Sequence, residues 1–68
     1  MNMELRAARI QSGKTQAQVA KEAKVGKRLY QDYECDKREP GVRTAIRIAR
    51  ALDRTVEELF GAATPEHK

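Results

Sequence analysis

The sequence has one cysteine, no tryptophan, two tyrosines and one phenylalanine. A single Cys35 excludes an intrachain disulfide, and Cys35 with the one histidine, His67, cannot form a zinc site. With so few aromatic residues, the core must be mostly aliphatic and rich in alanine. No hydrophobic run is long enough to span a membrane and no signal-peptide pattern is present, so we expect a reducing, cytoplasmic setting.

The chain has 68 residues, which is the size of one small domain. A domain of that length buries only roughly 60% of its unfolded surface and has no room for a walled catalytic cleft. Its histidine, cysteine and serine residues do not form a nucleophile–base arrangement, and the adjacent Glu57 and Glu58 fit a helix N-terminus. We therefore predict that the chain is not an enzyme and needs no cofactor, metal or small-molecule ligand.

Positive charge is unevenly distributed along the chain. Residues 1–50 hold twelve lysines and arginines against six acidic residues, whereas residues 51–68 hold two against four. A basic region of this kind favours a polyanionic partner such as nucleic acid. The charge distribution thus places the predicted binding region within residues 1–50.

Hydrophobic spacing predicts an all-α fold of five helices. They are expected over residues 1–12, 15–23, 26–34, 42–52 and about 55–61. Gly13 is a natural stop for the first helix, and Thr15 with Gln18 forms a capping box at the start of the second. Residues 1–61 are predicted to form the domain and residues 62–68 a flexible C-terminal tail.

Residues 15–34, TQAQVAKEAKVGKRLYQDYE, read as two short helices joined by a tight turn. Val19 and Ala23 give the first helix an apolar side, and the small Ala20 beside them lets a second helix cross closely. Tyr30 and Tyr33 lie on the apolar side of the second helix and are predicted to be core residues. Two crossed helices of this length fit a helix-turn-helix unit.

The polar side of the second helix carries Lys27, Arg28, Gln31 and Asp32, at spacings that place all four on one face. Arginine and lysine pair with guanine O6 and N7, and glutamine pairs with adenine N6 and N7. Asp32 follows Arg28 by four residues, so it can steer that guanidinium or accept from a cytosine amino group. A solvated charged face has the same composition, and these residues alone leave that alternative open.

An ordered set of motif positions runs through most of the chain. It consists of Leu5, Arg9, Gly13, Thr15-Gln16, Val19-Ala20, Val25, Glu34, Pro40, Ile48-Ala49, Ala51-Leu52, Val56 and Leu59-Phe60. At these spacings residues 5–61 resemble the phage-repressor-like helix-turn-helix family, also called XRE or Cro-type. The resemblance implies a compact, lambda-repressor-like domain whose second motif helix enters the major groove of duplex DNA.

The resemblance also implies roles for individual residues. Base readout is expected from Lys27, Arg28, Gln31 and Asp32, and contacts with the DNA backbone from Gln16, Lys37, Arg38 and Arg43. Arg9 is expected to pair with Glu34 and so to hold the first helix against the end of the third. Lys24 occupies a turn position where the family often has glycine, so it either adopts a strained left-handed conformation or reshapes the turn.

A stripe of four arginines runs along the fourth helix and just beyond its end: Arg43, Arg47, Arg50 and Arg54. Arg47 lies either near phosphate or in solvent, and the sequence favours neither. Arg54 and Glu58 are spaced for an i, i+4 ion pair that neutralises part of this stripe.

So small a domain cannot bury all of its C-terminal apolar side chains, which are Val56, Leu59 and Phe60, with Ile46. We therefore predict that they form a dimer surface. Family members commonly pair through this end of the domain. We therefore expect a homodimer that binds a pseudo-palindromic operator and regulates transcription, most often as a repressor. The alternative is a protein-interaction module, such as an antitoxin-like partner, that uses the same apolar surface.

Overall fold

The computed structural model describes residues 2–61, which form five α-helices and no strand. The helices are α1 (Met3–Gln11), α2 (Gln16–Glu22), α3 (Lys27–Glu34), α4 (Val42–Leu52) and α5 (Val56–Phe60). The predicted all-α class and the order of helices are confirmed. The predicted helical start at Met1 and the predicted tail, residues 62–68, lie outside the described residues.

Side chains cap the N-termini of three helices. Asn2 precedes α1, and its side-chain oxygen accepts from a backbone amide of the first turn at 3.0 Å. Thr15 and Gln18 form the predicted capping box at the start of α2, with bonds of 3.1 and 2.8 Å. Thr55 and Glu58 form a second capping box at α5. Each cap satisfies amides that have no partner within their own helix.

Two residues with positive φ end the first two helices. Gly13 has φ +72° after α1, as expected of a glycine at a helix stop. Lys24 has φ +61° in the turn between α2 and α3, so of the two alternatives it adopts the left-handed conformation. The Val25 amide donates to the Ala20 carbonyl at 2.9 Å and closes this turn. The conformation strains Lys24 by about 1–2 kcal/mol relative to a glycine.

The core is aliphatic and rich in alanine, with two tyrosines. Its buried members are Leu5, Ala8, Val19, Ala20, Ala23, Tyr30, Tyr33, Ile48, Ala49, Leu52 and Leu59. Helix α2 packs against α3 and α4, while α5 packs against α1 and α4. Because Tyr30 and Tyr33 point inward, as predicted, the opposite side of α3 faces solvent.

The last helix exposes less apolar surface than the sequence predicts. Leu59 is only 2% exposed and packs in the core, so its assignment to a dimer surface is corrected. The reason is that α5 packs against both α1 and α4, which encloses the side of the helix that carries Leu59. Val56 and Phe60, four residues apart on another side, remain partly exposed.

Two arginines of the predicted stripe on α4 bond within the chain. Arg47 Nε donates at 2.8 Å to the carbonyl oxygen of Ala23, at the end of α2. Arg54 Nη2 donates at 2.6 Å to Gln11 Oε1 on α1. The predicted pairing of Arg54 with Glu58 is therefore wrong, because the Glu58 carboxylate caps its own helix. Arg47 joins two helices and is not a free cation for phosphate.

Candidate nucleic-acid interface

The outer face of α3 begins with two free cations. Lys27 and Arg28 are exposed, and neither side chain forms a hydrogen bond or an ion pair within residues 2–61. The residue before them, Gly26, has no side chain to cap the helix, so the first-turn amides add positive potential beside these two side chains. Both are therefore available to a negatively charged or hydrogen-bonding partner.

Asp32 lies farther along α3 and contacts the loop that follows. Its Oδ2 is 3.8 Å from Arg38 Nε. Of the two roles that the sequence allows for Asp32, the structure shows no contact with Arg28 within residues 2–61. The backbone amide of Lys37 also donates to the Asp32 carbonyl at 2.9 Å, so this loop is tied to α3. An exposed pair at this distance contributes little stability, and a stronger partner can displace it.

A chain of polar contacts joins the inner edge of α3 to α1 and α2. Arg9 Nε donates to Glu34 Oε2 at 2.6 Å, so the structure contains the pair that the sequence leads one to expect. Gln16 Nε2 donates to Glu34 Oε1 at 3.0 Å, and Gln31 Nε2 donates to Gln16 Oε1 at 3.2 Å. Sequence reasoning assigned Gln16 and Gln31 to DNA but missed their contact with each other. Glu34 could have indicated further partners, because a buried carboxylate has more acceptor sites than one arginine fills.

The network sets the charge states of its members. Burial acts to raise the pKa of Glu34, but contacts from Arg9, Tyr30 and Gln16 outweigh it and hold the pKa below its ordinary value of 4.5. Burial raises the pKa of Tyr30 far above its ordinary value, and the Glu34 carboxylate raises it further. Among residues 2–61, the buried Tyr30 hydroxyl makes no hydrogen bond of standard geometry. At neutral pH Glu34 is therefore ionised and Tyr30 is neutral.

More exposed cations follow α3 along the chain. Lys37 and Arg43 are exposed and have no side-chain partner in the described part of the chain, and the Arg38 side chain is 67% exposed. Helix α4 begins after Gly41, again without a side-chain cap, so Arg43 lies beside uncapped amides of the first turn. The loop and the start of α4 thus continue the positive surface that begins on α3.

The basic side chains fall into two groups by their contacts. Arg9, Lys14, Arg47 and Arg54 bond to other helices or to helix ends. The exposed group without such bonds includes Lys27, Arg28, Lys37 and Arg43. The fold leaves the charges of these four residues unneutralised, and all four were predicted to contact DNA. Lys21, Lys24 and Arg50 are also exposed without such bonds, but they were not predicted to contact DNA.

A second surface lies between α4 and α5 and is mainly apolar, although Arg38 of the positive surface also lines it. It is a groove of about 530 Å³ whose apolar lining comprises Pro40, Val42, Ala45, Ile46, Val56 and Phe60. Val42 is 77% exposed and Ile46 is 38% exposed, although both are large hydrophobic residues. The dimer surface predicted from the sequence included Ile46 but not Val42. Val42 could have been predicted, because it lies four residues before Ile46 on the same helix face.

Other types of site find no support in this part of the chain. Residues 2–61 contain no group of three or more histidine, cysteine, aspartate or glutamate side chains that could hold a metal ion. None of the helices within that range has the length and apolar character needed to cross a bilayer.

Comparison with known proteins identifies one match. A family model described as helix-turn-helix matches residues 5–59. No curated protein and no solved structure matches the chain significantly. The matched span starts in α1 and ends in α5, so it includes the α2–α3 unit, the polar network and the apolar lining of the groove except Phe60.

Proposed function

The chain belongs to the helix-turn-helix family of the XRE, or phage-repressor, type, a family of DNA-binding transcription regulators, and from this premise we propose that it acts as a repressor. It does so as a homodimer on a pseudo-palindromic operator. Occupation of a promoter by the dimer then blocks transcription.

The two free cations at the start of α3 are the observation that carries this proposal. A helix in the major groove must bring unpaired donors to base edges, and Lys27 and Arg28 are exposed and unpaired on the solvent side of α3. Arg28 is proposed to bind guanine O6 and N7, a bidentate contact that discriminates by about 1–3 kcal/mol. Gln31 and Asp32 complete the proposed base-reading face.

Contacts with the DNA backbone are proposed for Lys37, Arg38 and Arg43, together with Gln16 at the start of α2. The three cations are exposed, and the loop that carries Lys37 and Arg38 is bonded to α3 through Asp32. Loop and reading helix therefore approach the duplex together. The Gln16 amide has two hydrogens and donates only one of them to Glu34. The second remains for a phosphate oxygen.

The proposed dimer uses the apolar groove. Val56 and Phe60 line it from α5, and Val42 and Ile46 line it from α4. Burying these side chains against a second copy removes them from water, which favours association. A two-fold dimer of this kind places its two copies of α3 about 34 Å apart, one turn of the DNA helix.

The proposal is tested by selecting bound sequences from a random duplex-DNA pool and sequencing them. A palindromic motif is expected from the unmodified protein. Arg28→Ala is expected to reduce the discrimination between bases at one position per half-site by about 1–3 kcal/mol. Discrimination at the other positions should not change. Lys37→Ala is the matched control. Loss of a phosphate contact should weaken binding to all sequences equally and lower the slope of log affinity against log salt concentration by about 1.

A further control is Arg50→Ala, which removes an exposed cation of α4 that lies outside the proposed interface. It should change neither the motif nor the salt slope. If the unmodified protein binds DNA without sequence preference, and Arg28→Ala changes nothing, α3 does not read bases and the proposal is wrong.

A further inference from the structure

Asp32 is the acidic member of the proposed base-reading face, and its ion-pair partner lies outside α3. Its Oδ2 is 3.8 Å from Arg38 Nε, in the loop that follows the helix. The two cations at the start of the same helix, Lys27 and Arg28, form no ion pair or hydrogen bond with it within residues 2–61. Arg38 is therefore the cation that neutralises this carboxylate.

The end of α3 determines where the Arg38 side chain begins. The backbone amide of Lys37 donates to the Asp32 carbonyl at 2.9 Å. The amide of Asp36 donates to the Tyr33 carbonyl at 3.2 Å, and Asp36 has φ +62°, the left-handed conformation that ends many helices. Since Arg38 directly follows this turn, its backbone is held beside α3 and close to Asp32.

A carboxylate on this face is repelled by the phosphates on both sides of the major groove. Duplex DNA carries one negative charge per about 1.7 Å of its axis, and Asp32 has the same sign. In water, an exposed ion pair such as that of Asp32 with Arg38 contributes little. The attraction between the two charges becomes stronger where the groove excludes solvent. A positive partner for Asp32 therefore matters most in a complex with DNA.

The guanidinium of Arg38 has enough donors to bind Asp32 and a phosphate at the same time. It has five N–H groups in a planar fork, and its Nε lies near Asp32 Oδ2, which leaves the remaining groups for a phosphate oxygen. The side chain is mostly exposed, so DNA can reach it. Asp32 Oδ1 accepts no hydrogen bond within residues 2–61 and is available to the N4 amino group of cytosine.

We infer that Arg38 bridges the Asp32 carboxylate and a DNA phosphate, and that this bridge lets Asp32 select cytosine at one base position. The inference rests on the proposed function, since it requires α3 to enter the major groove. It gives Arg38 a second role, that of a positioning residue for Asp32, beside its phosphate contact. Loss of Arg38 thus affects the base position of Asp32 more than any other.

The experiment is a double-mutant cycle on the operator that the duplex selection yields. Arg38→Met removes the guanidinium and keeps an apolar stem, while Asp32→Asn removes the charge with little change of shape. Fluorescence anisotropy measures the affinity of the unmodified protein, of both single variants and of the double variant. Lys37→Met gives the matched cycle, because Lys37 is the neighbouring cation and its side chain has no partner within residues 2–61. Thermal unfolding of each variant establishes that it is folded at the temperature of the binding measurement.

Arg38→Met is expected to weaken operator binding by at least about twofold more in the unmodified protein than in the Asp32→Asn background, beyond the deviation of independent sites. The reason is that only the unmodified protein keeps a carboxylate that the phosphates repel. Lys37→Met should weaken binding equally in both backgrounds. In a repeated selection, Arg38→Met should lose the preference for cytosine at the position that Asp32→Asn changes. In the Asp32→Asn background, Arg38→Met should lower the slope of log affinity against log salt concentration by about 1.

Four results would contradict the bridge. If Asp32→Asn changes one base position but Arg38→Met weakens binding equally in both backgrounds, the bridge is wrong and the proposed function stands. An equal difference in the Lys37→Met cycle would assign the effect to general charge. An unchanged salt slope in the double variant would exclude the phosphate contact of Arg38. If Asp32→Asn changes no base position, Asp32 does not read a base, and the inference fails with that part of the proposed function.

Discussion

Glu34 is the residue that connects the stability of this domain to its proposed DNA-reading face. Its carboxylate is buried, and Arg9 and Gln16 each occupy one of its oxygens. Removing one partner of a buried pair typically destabilises a protein by about 3–5 kcal/mol, because the other charge stays buried and uncompensated. For a domain whose total stability is of the order of 0.05–0.15 kcal/mol per residue, that is a large fraction.

Acid is expected to destabilise the domain through Glu34. Its pKa in the folded protein lies below the ordinary value of 4.5, so its contribution is complete above about pH 4.5 and is lost as the pH falls through the folded pKa. Urea unfolding between about pH 6 and pH 2 should show this loss, and Glu34→Gln should flatten it. The exposed Glu57→Gln serves as control and should keep the pH dependence. Equal profiles for Glu34→Gln and the unmodified protein would contradict the prediction.

At the scale of elements, the turn between α2 and α3 sets the orientation of α3, the proposed reading helix. Its Lys24 adopts φ +61°, a conformation that glycine reaches without steric strain. The Lys24 side chain is exposed, so the strain comes from the backbone and not from packing. The turn is therefore a position where substitution can stabilise the fold without changing a contact.

Lys24→Gly is expected to increase the free energy of unfolding by up to about 1 kcal/mol. Relief of about 1–2 kcal/mol of strain is partly offset, because glycine has more conformational freedom in the unfolded chain. The matched control is Lys21→Gly, at an exposed position within α2, which should lower stability by about 0.5–1 kcal/mol. Urea unfolding with unchanged m-values measures both effects. Destabilisation by Lys24→Gly would mean that the lysine side chain contributes to the turn.

At the scale of the whole molecule, the domain has two surfaces of different chemistry. Unpaired cations lie on α3, on the following loop and at the start of α4, while an apolar groove lies between α4 and α5. The first suits a polyanion and the second suits another protein surface. A dimer formed through the groove leaves α3 of both copies free to meet the same duplex.

Ile46→Glu is expected to weaken dimerisation, because it places a charge in the groove that a second copy covers. Since Ile46 is partly exposed in the isolated domain, the monomer should remain folded. Analytical ultracentrifugation should show a shift from dimer to monomer, by at least about tenfold in the dissociation constant. Ile10→Glu is the control, since Ile10 is 57% exposed on α1 and does not line the groove. A monomeric unmodified protein would contradict the homodimer and favour the antitoxin-like alternative, in which the groove binds a different chain.

The sequence by itself determined the elements and the family. Helix α4 runs over residues 42–52 as predicted, and the capping box of Thr15 with Gln18 is present, because both depend on contacts within a few residues. The Arg9–Glu34 pair could also be predicted, but only from the family motif, because local sequence patterns do not relate residues so far apart in the chain. Motif spacing and hydrophobic period thus sufficed for α2 and α3, whereas the conformation of Lys24 in the turn between them came from the structure.

Tertiary structure alone decided which side chains remain available for binding. Arg47 bonds to Ala23 and Arg54 bonds to Gln11, across sequence separations that no helix period encodes. The burial of Leu59 depends on how α5 meets both α1 and α4, and the contact of Gln16 with Gln31 depends on how α2 crosses α3. The physical reason is common to all of these: a helix period places a side chain on a face, but only the packing of helices determines what that face meets.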